Sequence, residues 1–507
     1  MTNFIRQRVR RAGLSAVLLV TSAAVAPAAF AQSFVNAITI PATTSVSTPE
    51  IGVPDVNNRL GMFSDIYYDV NRNEYWGLAD RGPGGGILSY DTRVERFNLT
   101  VNPTTGAISN FQPMQTVMFT DPNNILGQGA GINLNGLAPG APGGPPINTV
   151  GRAFDPEGIV VAPVTGNLLV SSEYGPSVYE FNRQGQLLRV LTTPTNLTPS
   201  DGTTPNFGSD VGNTQGIRAN RGFEGLAISP DGRNAYAVLQ APLVNEGGNA
   251  AGVTGNFVRI VRFDLLTGLS GAQYAYQFST NAQGRGISAL VAINDHEFMV
   301  IERNNRGVGV PDANFALPDK NVFRIDITGA TNVAGVALPA TGTTLPPGVV
   351  AVRKSAQYID LDTAANLPAP FAVSPEKWEG LAIGPKLNNG NYLILTGTDN
   401  DFSVTQIPGS GTQYDVYYNP AAAANQKRIQ CDLGAGFVNC DFILDNGALG
   451  GDFLGPNFTG YGLIPGVLAA FSAPLPSFVA PVPEPATLAI FGLGLAGLGY
   501  ARRRRRR

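Results

Sequence analysis

Histidine, cysteine and helical periodicity are nearly missing from this chain, and each gap closes off a chemistry. His296 is the sole histidine and sits in an NDHE turn, so a Ser-His-Asp triad would have to route its proton through one turn residue. No GxSxG nucleophile elbow occurs. The RHGxRxP arrangement of histidine acid phosphatases is absent. Neither Cys431 nor Cys440 opens a Cx5R loop, because Phe437 and Asn446 stand where the arginine is needed. Two thiols and one imidazole supply no zinc-finger-like set. No stretch between residues 40 and 460 sustains a 3.6-residue apolar period, while glycine (61) and proline (38) abound, so an all-β fold is expected over α/β. Any hydrolysis of phosphate esters would fall to carboxylates and a metal.

What is present is a repeat. Five copies of one unit run through the chain: FSDIYYDVNRNEYWGLADRG (63–82), FDPEGIVVAPVTGNLLVSSEYG (154–175), FEGLAISPDGRNAYAVLQ (223–240), ISALVAINDHEFMVIERN (287–304) and WEGLAIGPKLNNGNYLILTGTDND (378–401). Each has two apolar strands around turn chemistry such as SPDG (229–232) or NNGN (388–391), which predicts a hairpin. A third strand follows most of them, as in VRIVRFDLLTG (258–268). A hairpin that cannot bury its own faces needs its neighbours, and radial closure into a β-propeller leaves only short, protected edges. Anchors Asp65, Glu157, Glu224, Ala289 and Glu379 are 92, 67, 65 and 90 residues apart. With long inter-blade loops, about 420 residues fit six blades, with seven as the alternative.

The two ends read as addresses. Arg6, Arg8, Arg10 and Arg11 precede an apolar run that closes on Ala29 and Ala31, the pattern of a secretory signal peptide over residues 1–31. At the other end VPEP (482–485) precedes ATLAIFGLGLAGLGYA (486–501) and Arg502 to Arg507. Sixteen helical residues span about 24 Å, short of the ~30 Å hydrocarbon core of a bilayer. This segment, 482–507, resembles the PEP-CTERM sorting signal of Gram-negative bacteria. That resemblance implies a temporary inner-membrane hold, processing by an exosortase, and delivery to the cell surface or its exopolysaccharide. A plain C-terminal transmembrane helix held by cytoplasmic arginines is the alternative. Residues 32–481 are then the mature propeller domain. Without the ends, 24 basic and 36 acidic residues remain, a net charge that argues against nucleic acid and fits divalent cations. Export also permits a disulfide between Cys431 and Cys440.

The carboxylates are placed alike in the repeats. The first strand of a hairpin begins, and the second ends, away from the turn. Asp65 with Asp80, Glu157 with Glu173, Glu224 with Gln240, and Glu379 with Asp399 or Asp401 should therefore meet at one mouth of the channel, with Glu302 from the fourth unit. Arg81, Arg221, Arg303 and Lys377 lie close by in sequence. Acids so placed either cap loops and tie blades together or hold a metal.

The motifs DPEGI (155–159), SSEYGPSVYEF (171–181), NRGFEGLAISPDG (220–232), RIVRFDL (259–265), VIERNNRG (300–307) and WEGLAI (378–383) resemble the family termed esterase-like activity of phytase. The resemblance spans roughly residues 55–420 and implies hydrolysis of phosphoric or carboxylic esters assisted by calcium. The dense Asp, Glu and Lys constellation of the calcium phytases does not map onto this chain; in a metal mechanism drawn from the repeat positions, Asp65, Asp80, Glu157, Glu224, Glu379 and Asp399 are the expected metal ligands. Glu173 and Glu302 would orient water, and Arg81, Arg221 and Arg303 would bind the anionic group. A non-catalytic propeller that binds matrix polysaccharide or a partner protein is the competing class.

Overall fold

Hairpins of this kind become stable only when stacked, and the chain stacks them into a ring. The computed structural model describes residues 32–44, 59–249, 252–279, 285–310, 314–406, 412–453 and 457–482. The expected signal peptide (1–31) and the apolar run 486–501 lie outside the described residues. Among those described, five antiparallel sheets have four strands each. Blade I runs outward as Asp65–Asp69, Glu74–Leu78, Arg93–Val101 and Ile108–Met118, and blade II as Pro156–Val161, Leu168–Ser172, Val178–Phe181 and Leu187–Val190. Blade III comprises Phe223–Ile228, Asn234–Leu239, Phe257–Asp264 and Leu269–Gln277. Blade IV comprises Gly286–Ala292, Glu297–Arg303, Lys320–Asp326 and Arg353–Asp360. Blade V is stitched from distant segments: Lys377–Lys386, Tyr392–Asp399, Gly466–Ala473 and, at its outer edge, Ser33–Ile40.

Each innermost strand packs against the innermost strands of both neighbours, and blade I meets blade V. The result is a closed β-propeller of five blades, not the six favoured, or the seven considered, from chain length. Residues 404–463 form an insertion between the second and third strands of blade V. It is a six-stranded sheet from Val404–Gln406 to Gly462–Leu463, in which Cys431 and Cys440 form a disulfide.

The innermost strands are buried on both faces, which explains their near-continuous apolar runs. Where they converge there is little room for a side chain. A Cβ on Gly225 would lie 2.4 Å from the Leu290 nitrogen, and one on Gly158 would lie 2.6 Å from that of Leu226. Just before this position the innermost strand bulges in blades II to V, around Glu157, Glu224, Ser288 and Glu379. A bulge re-aims its side chain, and here it turns the glutamates out of the packed wall.

The alignment of units needs one correction. Ser64 and Ser288, not Asp65 and Ala289, are the counterparts of the glutamates; Asp65 and Ala289 stand at the glycine position. A one-residue slip exchanges the two faces of a strand, so Asp65 points into the wall between blades. Its carboxyl group accepts hydrogen bonds from the backbone amides of Ile66 (2.8 Å), Ile159 of blade II (2.9 Å) and Leu381 of blade V (3.5 Å). Burial pushes its pKa well up against those donors. It is a clasp across three blades and does not join the acidic mouth.

Asp65→Ala should therefore strand amides of two neighbouring blades without partners and lower the unfolding free energy by roughly 2–4 kcal/mol. Chemical denaturation measures this. A loss under 0.5 kcal/mol, within the range of ordinary surface substitutions, would remove Asp65 from this role.

Candidate metal and active site at the channel mouth

All five innermost strands run from the bulge end toward the hairpin turn, so the bulged residues and the ends of the second strands share one mouth. An oxygen each from Glu157, Glu173 and Glu224 lies within 4.8 Å of the other two. The same holds for Asp80, Asp155 and Glu157, and for Asp80, Asp399 and Asp401. Shared members join these triads into one arc of seven carboxylates across blades III, II, I and V. Glu379 lies beside it, and Arg303 of blade IV, where serine replaces the bulge glutamate, forms an ion pair with Glu379.

The arc is short of cations. Among the described residues Glu173 has one ion pair, with Arg221 at 3.6 Å, and Glu224 accepts one side-chain hydrogen bond, from Gln240 Nε2 at 2.7 Å. Glu173 Oε1 and Glu224 Oε2 are buried without a hydrogen bond among the described residues. Burial, reinforced by Glu224, drives the Glu157 and Glu173 carboxyls well above the usual range. Glu224 is pushed up to about 8 by burial and by Glu379. Asp80 is raised by burial and by Asp399, and it accepts from the Gly82 amide at 2.9 Å. On the blade V side, Lys377 Nζ sits 3.1 Å from Asp399 and 2.6 Å from Asp401.

Arg81 is committed as well. Asp155 takes both its backbone amide and its Nη1, each at 3.0 Å, which fixes the guanidinium beside Tyr174. Arg221 is different: it is 43 % exposed and, among the described residues, donates to the Asn220 carbonyl at 2.8 Å and pairs with Glu173 at 3.6 Å. Glu302 does not reach the mouth. Neighbouring Arg303 points there, so alternation sends Glu302 through the other face of blade IV. It is saturated by Tyr276, Ser279, Arg285 (3.1 Å) and Lys354. Asp155 was overlooked in the sequence although it lies two residues before Glu157. Its contact with Arg81, 74 residues away, and its approach to Asp80 and Glu157 reveal it.

A carboxyl raised from about 4.5 unfolded to about 8 folded stabilises the protein fully below the unfolded value, and that stability is lost as pH rises through the folded one. In chelator the melting temperature should fall by at least about 3 °C between pH 5 and pH 8.5 beyond any shift seen in Glu224→Gln. A scanning calorimeter reads this. Equal pH profiles for the two proteins would contradict the buried, cation-poor arc.

A curated relative, an uncharacterized secreted protein of Arthroderma benhamiae, is 32% identical over 209 residues, 34% of this chain and 41% of the relative; the match thus spans well under half of that protein. Among solved structures, a streptogramin B lyase aligns over 88% of this chain and 99% of its own at 10% identity and a TM-score of 0.28. The Dos1 propeller covers 85% and 84% at 9% identity and 0.25. Residues 481–506 match the PEP-CTERM protein-sorting motif, the mark of an exported protein. Residues 58–402, which take in all four bulge positions and the whole carboxylate arc, match the model described as esterase-like activity of phytase, and the chain belongs to that family.

Proposed function

We propose that this protein is an exported hydrolase of phosphoric or carboxylic esters whose channel mouth holds a divalent cation. One observation carries the reading: Glu157, Glu173 and Glu224 converge within 4.8 Å while two of their buried oxygens lack any hydrogen bond among the described residues. Buried like charges at that spacing need a counter-ion or protons. The donor set is all oxygen, which suits calcium over softer metals. His296 lies at a turn on the opposite end, and both cysteines are consumed in a disulfide.

Glu157, Glu173 and Glu224 would hold the ion, with Asp80, Asp155 and Asp399 extending the negative field toward blade V. When bound, such an ion polarises an ester oxygen and acidifies bound water. Arg221 is the guanidinium best placed to meet an anionic substrate group, because Arg81 and Arg303 already serve Asp155 and Glu379. The sorting motif supports a route through an exosortase to the surface of a Gram-negative cell, with a transient inner-membrane hold. It equally suits a second reading, a surface propeller that binds exopolysaccharide. There the ion only locks the blades, which accords with how deeply Glu157, Glu173 and Glu224 are buried.

Calcium at a hundredfold excess over its Kd should stabilise the wild type by about 2.7 kcal/mol. Glu224→Gln should blunt that gain and lower turnover of aryl phosphate, aryl acetate or phytate, whichever is cleaved. Stabilisation by calcium with no ester turned over selects the binding propeller. An unchanged melting temperature together with no turnover ends the hydrolase reading.

A further inference from the structure

The far end of the channel carries a different feature. After the last strand of blade V, residues 474–482 cross the turn face as a strap. Val479 donates its amide to the Ile293 carbonyl (2.9 Å), and Asn294 Nδ2 donates to the Ser477 carbonyl (3.1 Å), both on blade IV. Asn71 Nδ2 of blade I donates to the Pro481 carbonyl (3.1 Å), and Val482 donates its amide to the Pro230 carbonyl of blade III (3.2 Å). Phe478 packs edge-on against Tyr392 of blade V, with centroids 4.7 Å apart. With Ala480 and Pro481 it lines one end of an apolar channel cavity of about 170 Å³ whose walls come from all five innermost strands. Four blades thus grip the strap up to Val482.

Chain length then sets geometry. From docked Val482 to Ala486, where the apolar run begins, four residues reach at most ~14 Å even when fully extended. The run ATLAIFGLGLAGLGYA and the six arginines after it have the composition of a segment that enters a bilayer and stays at its charged surface. The innermost strand of blade II alone, six residues long, separates the turn face from the mouth by ~20 Å.

We propose that the strap makes the turn face the membrane-facing surface of the tethered protein. The propeller sits on the lipid by its hairpin turns, and the carboxylate mouth opens away from it. The partner is a bilayer, and the anchor is the segment 486–501 of this chain. This orientation holds whether or not the mouth is catalytic.

The test uses the full chain with its tail, reconstituted in vesicles that carry a headgroup nitroxide. The native cysteines are disulfide-bonded, so one introduced thiol takes the fluorophore. Val164→Cys lies in the blade II hairpin turn, and Val211→Cys lies in the loop leading to blade III at the mouth end; both side chains are exposed. Quenching at position 164 should exceed that at 211 by at least about twofold, given the ~20 Å difference in height. Equal quenching, or stronger quenching at 211, overturns the proposal. Inserting about 20 Gly/Ser residues between Val482 and Pro483 adds a coil of roughly 25 Å and leaves the folded domain intact. The contrast should then vanish. If it persists, the short tether is not its cause and the proposal fails.

Discussion

Five innermost strands meet around one axis with almost no space between them, and everything else in the molecule accommodates that contact. Because Gly158 and Gly225 lie against the next strand's backbone, the strand cannot run straight through. It bulges one residue earlier, and the bulge expels a glutamate toward the mouth. Packing and chemistry are therefore one decision: the tightness of the wall is the reason acidic side chains gather at its rim. Blade I solves the same contact differently, with Asp65 bonding the backbones that glycine elsewhere lets approach.

The rim carries the electrostatic cost of this arrangement. Seven carboxylates share few cations, and those present are placed at the flanks: Arg303 beside Glu379, Lys377 beside Asp399 and Asp401, and Arg81 on Asp155. The centre, around Glu157, Glu173 and Glu224, has one ion pair among the described residues, Arg221 with Glu173 at 3.6 Å, and feels Arg303 and Arg81 only from the flanks. Protein charges thus shape an arc of one sign whose flanks are paired and whose centre is the least compensated.

How much of this the sequence disclosed follows from which interactions are local. The hairpins, the all-β class and the glutamates of blades II, III and V sit in a repeated motif, and they were legible. The frame of blades I and IV was not, because Ser64-Asp65 and Ser288-Ala289 lack the glycine that marks the register. Glu302 looked equivalent to its counterparts by position, yet alternation along its strand sends it toward Tyr276. Asp155 acquires meaning through Arg81 and Asp80 of blade I, contacts that no periodicity encodes. The blade count failed because an inserted sheet interrupts blade V, and an interruption reads as length.

Blade V has one more consequence. Its outer strand, Ser33–Ile40, pairs with Gly466–Ala473, so the first segment of the domain to cross a membrane waits for nearly the last. A loop of that size closes at a cost that grows only with the logarithm of its length, so the delay is one of arrival more than of energy. The outer edge of blade V is thus a joint between the two ends of the domain, and its four-stranded sheet is complete only when residues from both ends are in place.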